Sequence, residues 1–352
     1  MVKLWKLVGC LTIVALAQGT ARASRADTGQ RNLGEPDAPF VKADVQAYLD
    51  RLAASPRPKL DRKMLEMIRH LPPERVVSTD DLPVGEVAQV TDVSLPGPEG
   101  ALRTRMYDTR AQRRPGPVIV FFHGGAYVVG SIETHAGLAA EMSRQLDLPV
   151  ISVEYRLAPE HPWPAAVDDG EAAARWIAQN GKAYGREFTG MILSGDSAGG
   201  NLTLVTSLAL RDKPAALPVI MQLPIYPATD RTKPYPSRQR FSRGFGLDME
   251  PGDEDLYAAD SRSLRASPLL ANLSGLPPTV LVTASLDPLR DEGRAFAAKL
   301  ITAGVPTLFY EAKGAIHGFA TYRKAIPSAQ VDTTHFLSLA VTMLKQVAGK
   351  QD

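Results

Sequence analysis

The sequence predicts an α/β protein whose mostly parallel, twisted sheet carries helices on both faces. Three observations carry that reading. Continuous apolar, β-branched runs at 118–122, 149–153, 191–194, 218–223, 279–284 and 307–310 read as strands buried on both faces. Between most of them lie stretches with helical spacing, and such alternation implies a parallel sheet wrapped by helices. Short glycine-bearing junctions, Gly124-Gly125 and Gly195 to Gly199 among them, close two of the strands where chemistry is usually placed.

Composition narrows the class. Of 352 residues 44% are hydrophobic and 22% charged, and the formal net charge is +2, ordinary values for a globular enzyme. No sustained Lys and Arg run exists to follow a phosphate backbone, so nucleic acid is set aside as a partner.

Residues 1–23 form a separate object. Lys3 and Lys6 precede a mostly apolar stretch at 7–17, and Ala21-Arg22-Ala23 offers small residues where a signal peptidase cuts. The pattern predicts a signal peptide, a periplasmic or secreted protein, and no integral span in the mature chain, because the apolar run is too short to cross a bilayer comfortably. Cys10, the sole cysteine, sits in a lipobox-like Leu7-Val8-Gly9-Cys10, but the apolar run continues past it, against lipidation. Cleavage after Ala23 leaves no cysteine for disulfides or metal ligation.

In chain order, 24–39 reads as a linker rich in Gly, Pro and charge. Residues 40–54 and 61–71 follow as amphipathic helices, part of a 40–85 segment that either packs on the core or roofs a site. The catalytic domain is set at 86–348. It opens with strands at 86–95 and 101–107 joined by Pro96-Gly97-Pro98-Glu99-Gly100 as a hairpin. Helices are predicted at 135–146, 165–179, 198–210, 288–303 and 328–347. A Pro-, Gly- and Arg-rich insertion at about 228–267, with one helix near 253–259, interrupts the alternation where it would cover the sheet's carboxyl edge. Its Arg231, Arg238, Arg240 and Arg243 are read as solvated surface, and Phe241, Phe245, Leu247 and Met249 as pocket or cap packing.

Gly195-Asp196-Ser197-Ala198-Gly199 links a strand to a helix, the setting of a nucleophile elbow. A serine hydroxyl needs a base, and the base a carboxylate that fixes its tautomer. His70 and His335 lie in predicted helices, His135 starts one, and His161 is in a Pro-rich loop. His317 alone follows the last strand in a loop, Gly314 to Phe319. Asp287 follows the 279–284 strand and precedes Pro288, so it is either a helix cap or the orienting acid; Asp291 and Glu292 fall inside the helix. The order Ser197, Asp287, His317 is that of α/β-hydrolases. His123-Gly124-Gly125-Ala126 follows a buried strand, and its N–H groups with that of Ala198 could meet a developing oxyanion.

The chain thereby resembles the hormone-sensitive-lipase family of esterases, on five motifs spread over 118–319. They are His123-Gly124-Gly125-Ala126, Tyr155-Arg156-Leu157-Ala158-Pro159-Glu160, Gly195-Asp196-Ser197-Ala198-Gly199-Gly200, Asp287-Pro288-Leu289 and His317-Gly318-Phe319. The resemblance implies an α/β-hydrolase fold with a helical cap, no cofactor, no metal, and a small-molecule ester as substrate, with short- to medium-chain acyl or aryl esters expected. It implies Ser197 as nucleophile, His317 as base, Asp287 as orienting acid, and Gly124, Gly125 and Ala198 as oxyanion donors. Ala126 stands where many members have a third glycine. Two other readings use the same residues: an amidase or deacetylase, or a silent small-ligand binder, against which the complete triad argues. Oligomeric state is not legible.

Overall fold

The structure is a computed structural model that describes residues 38–55, 61–71, 80–249 and 256–349. The predicted signal peptide, Cys10 and nearly all of the 24–39 linker lie outside the described residues.

Eight strands form one sheet in the order β1-β2-β4-β3-β5-β6-β7-β8. β1 (Gln89–Gly97) and β2 (Gly100–Asp108) make the expected antiparallel hairpin, closed at Gly97 opposite Gly100. β2 is also antiparallel to β4 (Val150–Val153). The remaining pairs are parallel: β3 (Gly116–Phe122) with β4 and β5 (Phe188–Asp196), then β6 (Val219–Ile225), β7 (Thr279–Leu286) and β8 (Thr307–Ile316).

β3 shows why the apolar runs are continuous. Ile119 and Phe121 pack on one face with α1 (Ala43–Ala54), α3 (Ala136–Leu146) and α8 (Pro327–Ala348). Val118, Val120 and Phe122 pack on the other with α4 (Ala165–Ile177) and α5 (Ala198–Asp212). Strand side chains alternate between faces, so a strand covered on both sides must be apolar at every position. α7 (Arg290–Thr302) adds Phe296, Ala297 and Leu300 to a third cluster with Leu281 and Leu204.

The two early helices differ in placement. α1 packs on the core beside α8, where Asp44 accepts Ser328 N–H at 2.7 Å. α2 (Arg62–Arg69) instead buries Leu65 in the same apolar cluster as Tyr127 and Val128, and Arg69 donates to the carbonyls of Val128 and Ala158 at 2.6 and 3.0 Å. It therefore lies against the loop that follows β3.

The insertion between β6 and β7 departs from expectation. Its described helix is α6 (Pro236–Phe241), six residues with Pro at its start. Residues 256–259 form a turn and coil rather than the end of a helix, and 253–255 lie outside the described residues. Arg238 is not solvated surface. It pairs at 2.7 Å with Glu292, which is fully buried and also accepts Thr229 N–H at 2.7 Å, so the insertion is tied to α7. Phe241 is buried in the core, whereas Met249 is exposed. No helix among the described residues is long and apolar enough to cross a membrane.

Candidate active site

From β3 the chain turns outward to β4, and from β5 it turns the other way to β6. The carboxyl ends of β3 and β5 thus flank the crevice where open α/β sheets bind ligands. The predicted site residues converge there.

Ser197 follows the last residue of β5 and starts α5 with φ 56° and ψ −115°. That strained elbow is held because its N–H donates to Ile225 O at 2.9 Å while its carbonyl accepts Asn201 N–H at 3.0 Å. α5 crosses β3 so closely that a Cβ on Gly199 would sit 1.9 Å from Phe122 O, which is why glycine is required there.

β8 runs six residues beyond its predicted end, to Ile316, so His317 is the first residue past the strand and no part of a long loop. Its Nε2 lies 2.8 Å from Ser197 Oγ and its Nδ1 2.7 Å from Asp287 Oδ2. Asp287 is wholly buried, and its Oδ1 accepts Leu289 N–H at 2.7 Å. The helix-cap expectation for Asp287 does not hold, because Leu289 is the N-cap of the helix that follows; Oδ1 instead closes the turn before it while Oδ2 faces His317. α7 itself begins at Arg290. Burial acts to lower the His317 pKa, but the Asp287 carboxylate and its hydrogen bond outweigh it, aided by Asp196 and Glu292. The imidazole titrates above its ordinary value.

The loop after β3 requires a correction. Gly124 does not offer a free donor, because its N–H already points at Asp196 Oδ1, 2.8 Å away. The N–H groups of Gly125, Ala126 and Ala198, by contrast, have no backbone acceptor among the described residues. Gly125, Ala126 and Tyr127 have φ of 121°, 54° and 65°, three successive positive values. A Cβ on Gly125 would meet Val129 O at 2.1 Å. Ala126 keeps its N–H in the left-handed region that a third glycine would enter without strain.

Two residues passed over in the sequence belong to this crevice. Asp196 is buried beside the elbow, where it reads in sequence as a spacer of the pentapeptide. His135 does precede α3, but its Nε2 lies 3.3 Å from Asp196 Oδ1. Burial opposes ionisation of both, and their mutual attraction prevails: the carboxyl is held below its ordinary pKa and the imidazole above. His123 behaves oppositely. Burial, with the neighbouring His135 charge, pushes it down to about 3, so its ring is neutral. That ring stacks on Tyr155 at 4.2 Å, and the Tyr155 hydroxyl donates to His123 O at 2.7 Å, a scaffold role for the Tyr155 motif. Arg156 likewise pairs with buried Asp169 at 2.8 Å.

A family profile described as the α/β hydrolase fold matches residues 119–321, spanning β3 to the loop of His317. The chain is a member of the hormone-sensitive-lipase-like esterase family of α/β-hydrolases. Among curated members, Esterase LipI of Mycobacterium tuberculosis is 35% identical over 266 residues, 72% of this chain and 82% of LipI. The Arylesterase of Saccharolobus solfataricus is 37% identical over 245 residues, 68% of this chain and 79% of that one. Among solved structures, an α/β hydrolase enzyme from the metagenome of Lake Arreo, Spain, superimposes with a TM-score of 0.76 at 33% identity, covering 87% of this chain and 99% of the other. This esterase-family chain thus shares its architecture, sheet and helices together, with solved relatives.

Proposed function

We propose that the chain hydrolyses carboxylic esters through Ser197, His317 and Asp287. The observation that supports it most is the imidazole of His317 bridging the Ser197 hydroxyl and the Asp287 carboxylate at 2.8 and 2.7 Å. In the proposed cycle His317 Nε2 takes the Oγ proton as the oxygen bonds to the ester carbonyl carbon, and the carbonyl π pair moves onto oxygen. The N–H groups of Gly125, Ala126 and Ala198 receive that oxyanion. The tetrahedral intermediate collapses, the alkoxide leaves with the proton from His317, and Ser197 remains acylated. Water repeats the sequence and frees the acid. Asp287 accepts the Nδ1–H throughout and so holds that tautomer.

The substrate class proposed is a small ester of a short- to medium-chain or aryl acid. LipI and the arylesterase carry ester-cleaving names, and the insertion brings Phe245 and Leu247, both partly buried, to the region next to His317, where a Cβ on Gly246 would lie 3.2 Å from Ile316 Cδ1. Hydrolysis of a chain-length series of chromogenic esters by wild type and Ser197→Ala tests the reading. Activity in the wild type and none above background in the variant is expected; equal activity in both would remove Ser197 from the mechanism. Export is part of the proposal, and N-terminal sequencing of exported protein should begin at Ser24; a start at a lipidated Cys10 would replace secretion by anchoring.

A further inference from the structure

The steps above use no part of the Asp196 side chain, yet its carboxylate is buried to 3% exposure between the two loops that carry them. A carboxylate moved from water into a protein interior loses several kcal/mol of hydration unless paired. Its pairings are specific. Oδ1 accepts Gly124 N–H at 2.8 Å and lies 3.3 Å from His135 Nε2, and Oδ2 lies 3.5 Å from the Tyr226 hydroxyl. Gly124 N is also 3.2 Å from His135 Nε2, but the carboxylate is the nearer and stronger acceptor.

On the far side of the ring, His135 Nδ1 is 2.8 Å from Thr134 Oγ1, a hydroxyl that can accept from an Nδ1–H or donate to a bare Nδ1 and that also lies 3.0 Å from Ser131 O. Nε2 is left facing Asp196, and when protonated it balances the carboxylate charge.

The sheet explains the position. Phe122 of β3 pairs with Gly195 of β5, and beyond that pair the two strands separate. The Asp196 side chain takes the N–H of Gly124, two residues past the end of β3, where the chain enters the turn. A Cβ on Gly124 would come within 2.5 Å of Asp196 Oδ2, so the fit is close. At its other end the turn is closed by Val128 N–H and Val129 N–H donating to Gly125 O at 3.0 and 2.9 Å. Between these clamps lie the three positive φ values, and such backbone persists only when its surroundings over-determine it.

We infer that Asp196 is a positioning residue for ester hydrolysis: with His135 as counter-ion, it holds Gly124 N–H and so aims the Gly125 and Ala126 N–H groups at the oxyanion. This rests on the esterase reading above. Oxyanion donors act through preorganisation, so loosening the turn weakens binding of the tetrahedral state more than that of the planar ester.

The test compares wild type, Asp196→Asn and Asp196→Ala on a soluble 4-nitrophenyl ester and on a trifluoromethyl ketone of the same acyl length. The ketone is attacked by Ser197 Oγ: the O–C bond forms, the carbonyl π pair becomes an oxyanion, and the proton goes to His317. Asparagine keeps an acceptor oxygen without charge, so kcat should fall about tenfold in Asp196→Asn and about 100-fold or more in Asp196→Ala, with KM within about threefold. Ketone affinity should fall in step with kcat. A carboxylate that served stability alone would lower the melting temperature without separating ketone from ester. If Asp196→Ala does not fold, Asp196→Asn decides: unchanged kcat, or a fall in kcat without weaker ketone binding, overturns the inference. Wild type turning over no ester would remove the esterase reading and this inference with it; an active wild type, a dead Ser197→Ala and an unaltered Asp196→Asn would remove this inference alone.

Discussion

Asp287 and His317, 30 residues apart in sequence, meet at 2.7 Å, and the second oxygen of the same carboxylate accepts Leu289 N–H at 2.7 Å. One side chain thus anchors the turn into α7 and the tautomer of the imidazole. Asp287→Asn separates the two roles. The amide oxygen can still accept from Leu289, but an amide nitrogen facing Nδ1 favours the wrong tautomer. We expect kcat to fall about 10³- to 10⁴-fold while the melting temperature moves by only a few degrees, as read from ester hydrolysis and a thermal melt.

The pH profile follows from the raised His317 pKa. The base acts when neutral, so kcat/KM should rise with pH with a midpoint above about 6.5, the ordinary histidine value. In a residually active Asp287→Asn the midpoint should move down, since the largest stabiliser of the imidazolium is gone. The stability sign is opposite. A group whose folded pKa exceeds its unfolded value contributes stability below pH of about 6.5, and that contribution fades as pH rises through the folded pKa. Titration of kcat/KM and of the melting temperature on one sample checks both signs.

Gly125→Ala should be severe. Its Cβ would meet Val129 O at 2.1 Å in a residue with φ 121°. Displacing one oxyanion donor costs about 10²- to 10³-fold in kcat, and a loss of that size is expected. Gly304→Ala is the control: its φ is 77°, nothing lies within 4 Å of its added Cβ, and it is remote from the crevice in the turn after α7. It should cost about 1 kcal/mol of stability and leave kcat unaltered.

Arg238 and Glu292 give a prediction about the insertion. Burial raises the Glu292 pKa although Arg238 and the Thr229 N–H oppose it. Arg238→Ala would leave an uncompensated buried carboxylate, and about 3 kcal/mol of destabilisation at neutral pH is expected. Adding Glu292→Gln should recover part of the loss, as should lowering the pH, because the folded state then binds the proton more readily. Urea melts of the single and double variants measure the coupling.

Much of this site is legible in the sequence because its parts sit at the ends of strands covered on both faces, and those strands read as unbroken apolar runs. Ser197 follows one of them, β5, whereas His317 follows β8, of which only the first four residues read as a strand. What fails is instructive. The sequence offers three successive N–H groups at Gly124, Gly125 and Ala126, and which two are left as donors depends on Asp196 taking the first, a contact across 72 residues. β8 is an edge strand, and Lys313 and Gly314 fall at an irregularity between the pairing of Ala312 with Ala284 and that of Ile316 with Leu286, which breaks its apolar pattern. α6 is short and Arg-rich, and its ties to α7, Ser237 N–H to Asp291 and Arg238 to Glu292, are contacts that local pattern does not carry.

Covalent capture of the nucleophile tests the central claim most directly. Incubation with a mechanism-based alkyl phosphonate ester, followed by peptide mapping, should place one adduct per chain on Ser197, with labelling slowed at least about 10³-fold in His317→Ala. A label on another residue, or equal labelling in the two proteins, would contradict the account.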